Sequence, residues 1–175
     1  MGQFREVTSG RRVFQRLYIT IMLWFVGRAI VAASKADLDV KREFDGLPDG
    51  LTFSLGVLPV GPRMVIRKEA DGKVRYLGQG KGEAIDLDLT IKHMQAFFMI
   101  FSFQESTPTA NARARLYVDG GVPEACAVVR ILDIVQVYLL PKFIAKLAVK
   151  RYPAWSWTRH TLVRSMVYLR TVTGI

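Results

Sequence analysis

Polar and apolar positions change their rhythm several times along this chain, and each change predicts an element. Residues 11–36, "RRVFQRLYITIMLWFVGRAIVAASKA", are apolar with few interruptions, hold no proline, and contain only Gly27 as a breaker. They predict one helix. Residues 37–50, "DLDVKREFDGLPDG", are charged and end in Gly and Pro, which predicts a connection. The period then falls to two. Residues 51–60, 63–72, 73–80 and 83–92 are short runs with alternating or β-branched apolar positions, punctuated by Gly-Pro, Asp-Gly and Gly-x-Gly. They predict four strands. Asp71-Gly72 suits a type I′ hairpin turn between two of them. "IDLDLTI" alternates throughout: Ile85, Leu87, Leu89 and Ile91 share one face, and Asp86, Asp88 and Thr90 share the other.

The stretch "HMQAFFMIFSFQES" (93–106) breaks that rhythm. Ala96, Phe97, Phe98, Met99, Ile100 and Phe101 follow one another without a polar side chain. A surface helix would turn polar every three or four residues, and a bilayer span would be longer. A helix of about ten residues, apolar all round, is the prediction. A loop follows, then a fifth strand over 113–121 with Ala114, Leu116 and Val118 on one face. A long helix over 123–140 opens with Pro123 and Glu124, which suit a first turn, and Pro141 interrupts it. Beyond it, Lys142, Lys146 and Lys150 recur at i+4 opposite Phe143, Ile144 and Leu147. A last helix is predicted over 155–172.

This order predicts an α+β fold: a five-stranded, mainly antiparallel sheet covered on one face by helices, with extra N-terminal and C-terminal helices. Three parts are expected: an N-terminal apolar helix with its connection (1–47), a central domain (48–140) and basic amphipathic C-terminal helices (141–175). The helices over 93–103 and 123–140 carry more apolar surface than one sheet face needs. A large core, a partner, or a cavity for an apolar ligand would take up the excess. Met and Phe suit an adaptable cavity wall.

Charge adds a direction. The chain of 175 residues carries a net charge of +10, and residues 122–175 hold 8 basic and 2 acidic side chains, with no acid after Asp133. Such a tail faces phospholipid headgroups, nucleic acid or an acidic partner. In "YPAWSWTRHTLVRSMVYLRTV", Trp155, Trp157, Arg159 and Arg164 combine interface-seeking rings with cations. Leu162, Val163, Met166, Val167 and Leu169 make the segment greasier than a nucleic-acid surface requires. The N-terminal run over 17–33 supports three readings: a helix lying in an interface or packed on a partner, a membrane span or anchor, and a secretory signal peptide. Arg28 inside it argues against the last.

Catalytic and metal chemistry finds little material. His93 and His160 are far apart and lack ligand partners at helical spacing, so no metal site is expected. His93 reads as a helix-start residue. Cys126 is the single cysteine, sits in an apolar helix and reads as an inert buried thiol. One cysteine also fits a reducing compartment. Asp86 and Asp88 read as solvent-facing strand charges. "GQGKGEA" (78–84) lacks the phosphate-loop spacing and reads as a hairpin turn.

Residues 84–129, "AIDLDLTIKHMQAFFMIFSFQESTPTANARARLYVDGGVPEACAVV", resemble the core of the sterol carrier protein type 2 family of lipid-binding domains. There an acidic alternating strand leads into a helix. A loop, a basic-apolar strand ending in Gly and a last core helix follow. The resemblance extends over roughly residues 48–140 and departs from the family at Asn111, Arg113 and Ala114. It implies a sterol-carrier-like fold and an apolar tunnel between sheet and helices for a fatty-acyl, sterol or isoprenoid-like lipid, with no reaction catalysed and no cofactor. Met94, Phe97, Phe98 and Phe101 on one helix and Val128, Leu132, Val135 and Leu139 on the other would line it.

The reading that combines these points is a non-catalytic lipid carrier at a membrane surface on the cytoplasmic side. Lys142, Lys146, Lys150, Trp155, Trp157, Arg159 and Arg164 would face anionic lipid. The alternative is an assembly subunit of a membrane-associated complex, joined to sister or other subunits through residues 11–36. An enzyme lacks an evident nucleophile or base. Nucleic-acid binding rests on net charge alone and is disfavoured.

Overall fold

A computed structural model describes residues 13–58, 61–94, 96–97, 115–139 and 164–173. Helix α1 (Val13–Ala36) forms as the apolar run predicts. Ile19, Leu23, Val26, Ile30 and Ala33 recur at intervals of four, three, four and three, and all are buried. They make one stripe down the helix. Lys35 in the last turn complements the helix dipole.

Asp37 then separates two helices. Its backbone N–H donates to the Ala33 carbonyl at 2.8 Å, closing α1. Its Oδ1 accepts from the N–H groups of Asp39 (2.8 Å) and Val40 (3.1 Å), capping α2 (Leu38–Asp45). This helix replaces the connection expected over 37–50. Its charges conceal a short amphipathic pattern: Val40 and Phe44 lie at i and i+4, both buried, while Lys41, Arg42 and Asp45 stay outside.

Five strands follow: β1 (Thr52–Val57), β2 (Arg63–Lys68), β3 (Val74–Tyr76), β4 (Leu87–Ile91) and β5 (Leu116–Asp119). They lie in the order β3-β2-β1-β4-β5. The β1–β4 pair is parallel, with Phe53 opposite Leu87, and the other three pairs are antiparallel. The architecture is therefore the mainly antiparallel α+β sheet that the sequence predicts.

Two connections differ from expectation. The β2–β3 turn comprises Ala70, Asp71 and Gly72, one residue more than a type I′ turn: Gly72 donates to the Glu69 carbonyl, and Glu69 donates to the Lys73 carbonyl. Gly72 supplies the left-handed residue, with φ +77°. The segment 78–84 is no hairpin turn. It carries the chain from the β3 edge past β2 and β1 to β4, as a parallel pairing demands. On the way Gly80 passes so close over Val65 that a β-carbon there would lie 2.3 Å from its methyl.

Phe53, Leu55, Val57, Met64, Ile66, Leu87, Leu89 and Ile91 point to the inner face, where the helices pack. Helix α1 crosses it at the β3 edge. A β-carbon on Gly27 would stand 2.6 Å from the Tyr76 ring, so glycine sets that approach. Helix α3 (Val122–Leu139) packs over β4 and against α1 and α2. Helix α4 (Arg164–Thr173) rests on α1, with the Phe25 and Tyr168 rings 6.4 Å apart. The Tyr168 hydroxyl donates to the Leu139 carbonyl at 2.7 Å. The buried Tyr138 hydroxyl, at the end of α3, donates to Oδ2 of Asp37.

The outer face is polar and cross-braced. Asp88 accepts from Ser54, from Thr90 at 3.1 Å and from the Arg63 guanidinium at 3.1 Å. Asp86 accepts from the Thr52 N–H at 2.8 Å. These strand carboxylates brace neighbouring strands, a fuller role than the solvent-facing charges expected.

Candidate functional site

The strand β4 ends at Ile91, and the described residues Met94, Ala96 and Phe97 after it are helical. His93 precedes them: its Nδ1 accepts from the Ala96 N–H at 3.0 Å, and its carbonyl accepts from Phe97 N–H at 3.2 Å. That cap directs Ala96 and Phe97 into the core, where both are fully buried, with Met94 half-covered beside them. Helix α3 approaches from the other side. Gly120, at φ +133°, lies so near the Asp86 carbonyl that a β-carbon would reach within 2.7 Å. The sharp turn at Gly120 and Gly121 folds α3 back over the sheet.

On α3, Val128, Leu132 and Val135 face inward and are buried, and Leu139 is partly so. These four, with Met94 and Phe97, belong to the same apolar cluster as the inner sheet face. Six of the eight residues assigned to a cavity wall thus come together. Phe98 and Phe101 lie outside the described residues, as do Lys142, Lys146, Lys150, Trp155, Trp157 and Arg159. Arg164 is the first residue of α4.

The apolar floor is sealed in the middle of the sheet and open at one edge. Leu89 and Val118 are register partners and share the inner face. Leu89 is 1% exposed, whereas Val118 is 41% exposed. Val122, just across the glycine turn, is more exposed still. Next along the same face of α3 comes Cys126, which is exposed and not the buried thiol expected. The sequence could not assign its burial, because α3 is apolar on more than one face. Val129 and Asp133 continue that line at helical spacing and are half-buried. Burial pushes the Asp133 carboxyl up to about 6. The open edge is therefore apolar at Val118 and Val122, and the α3 face that starts at Val122 becomes less exposed toward Asp133. Sequence analysis placed Val118 on one strand face with Ala114 and Leu116, but periodicity carries no sign of which strand forms the edge.

A concavity of about 210 Å³ lies between α2 and α3. Arg42, Glu43, Glu124 and Arg130 line it together with Leu47 and Ala127. Arg130 pairs with Glu43 at 2.9 Å. Its polar walls and small volume suit no acyl chain. Among the described residues there is no cluster of three or more His, Cys, Asp or Glu arranged for a metal.

No protein-family profile matches the chain, nor does any curated protein. Solved structures are similar to it at low identity. A ubiquinone synthesis protein described as UbiJ-SCP2 shares 14% identity, with a TM-score of 0.45 over 69% of this chain and 97% of its own. Sterol carrier protein 2 of Yarrowia lipolytica, in its apo form, shares 16% identity, with a TM-score of 0.48 over 68% of this chain and 93% of its own. A palmitated sterol carrier protein 2-like 2 of Aedes aegypti shares 15% identity, with a TM-score of 0.42 over 62% and 91%.

Proposed function

We propose that this protein is a non-catalytic lipid-binding domain that holds a single apolar lipid between the inner sheet face and α3 and works at a membrane surface. One observation carries the reading: the inner apolar face runs without a polar break from buried Leu89 to exposed Val118, beside exposed Val122. A soluble domain gains about 25 cal/mol for each Å² of apolar surface it covers, so an uncovered apolar lip joined to the core favours an apolar occupant. A fatty-acyl, sterol or isoprenoid-like chain has the matching chemistry. The sequence resemblance over residues 48–140 supports the same class of ligand.

Binding would require no proton transfer. The chain would enter along β5, shed its hydration and lie against Met94, Phe97, Val128, Leu132 and Val135. Exit would need the helices to part from the sheet. The basic segment after Pro141 would hold the domain near anionic headgroups during exchange.

Native mass spectrometry with organic extraction, on full-length protein from its own host, tests the cargo. A stoichiometric lipid is the expected result. An empty protein held in tight protein–protein complexes would overturn it in favour of an assembly subunit. Charge reversal at Lys142, Lys146 and Lys150 is expected to weaken flotation with anionic vesicles. Undiminished flotation would remove those lysines from the membrane contact.

A further inference from the structure

The outward side of α1 is unusual for a helix whose inward side already belongs to the core. Phe14, Leu17, Tyr18, Ile21 and Trp24 fall within one arc of the helix, and all are exposed, Phe14 by 88%. The buried stripe, Ile19 to Ala33, lies on the opposite arc. Over its first three turns the helix is thus apolar on both sides. Beyond Trp24 the outward arc turns basic: Arg28 stands 5.0 Å from the Trp24 ring centroid, and Lys35 follows two turns on. Helix α4, packed on α1, exposes Met166 and Leu169 as well.

Charge identifies the occupant. No Asp or Glu occurs in α1 or α4, and the described cations of α1 are Arg16, Arg28 and Lys35. A surface that is apolar or cationic and never acidic complements an anionic bilayer. A second copy is a poor complement, because a two-fold contact sets the same acid-free patch on both sides and offers its cations no carboxylate. Tyr18 and Trp24 have the half-apolar rings that settle at headgroup depth. The segment Arg16–Ala36 is long and apolar enough to cross a bilayer, yet crossing would pull Ile19, Leu23, Val26 and Ile30 out of the core.

We propose that α1 docks flat on an anionic bilayer through Phe14, Leu17, Ile21 and Trp24, with Arg16 and Arg28 on lipid phosphates. This rests on the membrane-surface reading above and moves the main contact from the C-terminal lysines to α1. The helix serves as floor to the bilayer on one side and as wall to the domain on the other.

The test uses full-length protein and vesicles of phosphatidylcholine with and without phosphatidylglycerol. Wild type is expected to float only with the anionic vesicles. The double variant Leu17→Ser, Ile21→Ser alters exposed side chains, and its vesicle affinity is expected to fall about tenfold or more. The variant Arg16→Glu, Arg28→Glu provides the same test through charge, should the first one fold poorly. With Trp155 and Trp157 changed to Phe, Trp24 emission is expected to shift blue on the vesicles and to be quenched by brominated lipid. Unchanged flotation of the folded variants, or a Trp24 that ignores brominated lipid, overturns the proposal. So does a soluble dimer that Leu17→Ser, Ile21→Ser dissociates. Lipid content is measured on the same samples: wild type that carries lipid yet fails to float sinks this contact alone, and wild type that floats without lipid sinks the carrier reading alone.

Discussion

The sheet ends differently at its two edges. At β3, α1 lies so close that Gly27 meets the Tyr76 ring, and Val74 is buried. At β5, the inner-face Val118 is left in contact with solvent, although its partner Leu89 is sealed. Both edges present the same kind of apolar inner face. Only one is closed, because only one meets a helix with a glycine at the crossing. The closed edge therefore carries stability, and the open edge leaves apolar surface uncovered.

The largest test of that contrast removes volume from the closed side. Ile30→Ala should cost about 2–5 kcal/mol in urea unfolding, since Ile30 is fully buried in the shared core. An intermediate effect belongs to Asp133, on the α3 face leading from the open lip. Its native carboxyl titrates near 6 against 3.8 unprotected. The folded state thus holds the proton more tightly, and that contribution is present below the unfolded value and lost as pH rises through about 6. Asp133→Asn should be more stable than wild type at neutral pH by about 1–2 kcal/mol, and the gap should close in acid. A constant gap across that range would mean that Asp133 is not desolvated. The smallest stability effect is expected at the open edge: Val118→Ala should cost under about 1 kcal/mol. If it rivals Ile30→Ala, the two edges are equally closed and the contrast fails. Val118→Glu sharpens it further, because a charge on the lip should reduce co-extracted lipid while the melting temperature changes little.

Much of this was legible in the sequence where burial follows a period. Leu87, Leu89 and Ile91 alternate with Asp88 and Thr90, and they form β4 as read. The spacing of Val128, Leu132 and Val135 identified the inward face of α3. What escaped was set by neighbours distant in sequence. Five of the eight residues of α2 are charged, and only the Asp37 cap and the Val40–Phe44 pair show that they form a helix. The glycines of 78–84 look like a turn, and only the parallel β1–β4 pairing makes them a crossover. Cys126 and Val118 lie in apolar company along the chain, yet an edge of the fold exposes both. The exposed side of α1 escaped for the same reason: a helix apolar all round does not reveal which of its sides the domain will use.

The Asp37 carboxylate has a dynamic consequence. One oxygen holds the start of α2, the other holds the end of α3 through Tyr138, and its own amide closes α1. Each of these three helix ends, when it frays, releases a bond to the same residue. Amide hydrogens at the end of α1, in α2 and at the end of α3 should therefore exchange with solvent as one cooperative unit. Asp37→Asn would split that unit into independent rates. On the proposed loading route, where the helices part to admit a lipid, they would open as a hinged block with one carboxylate as the pin.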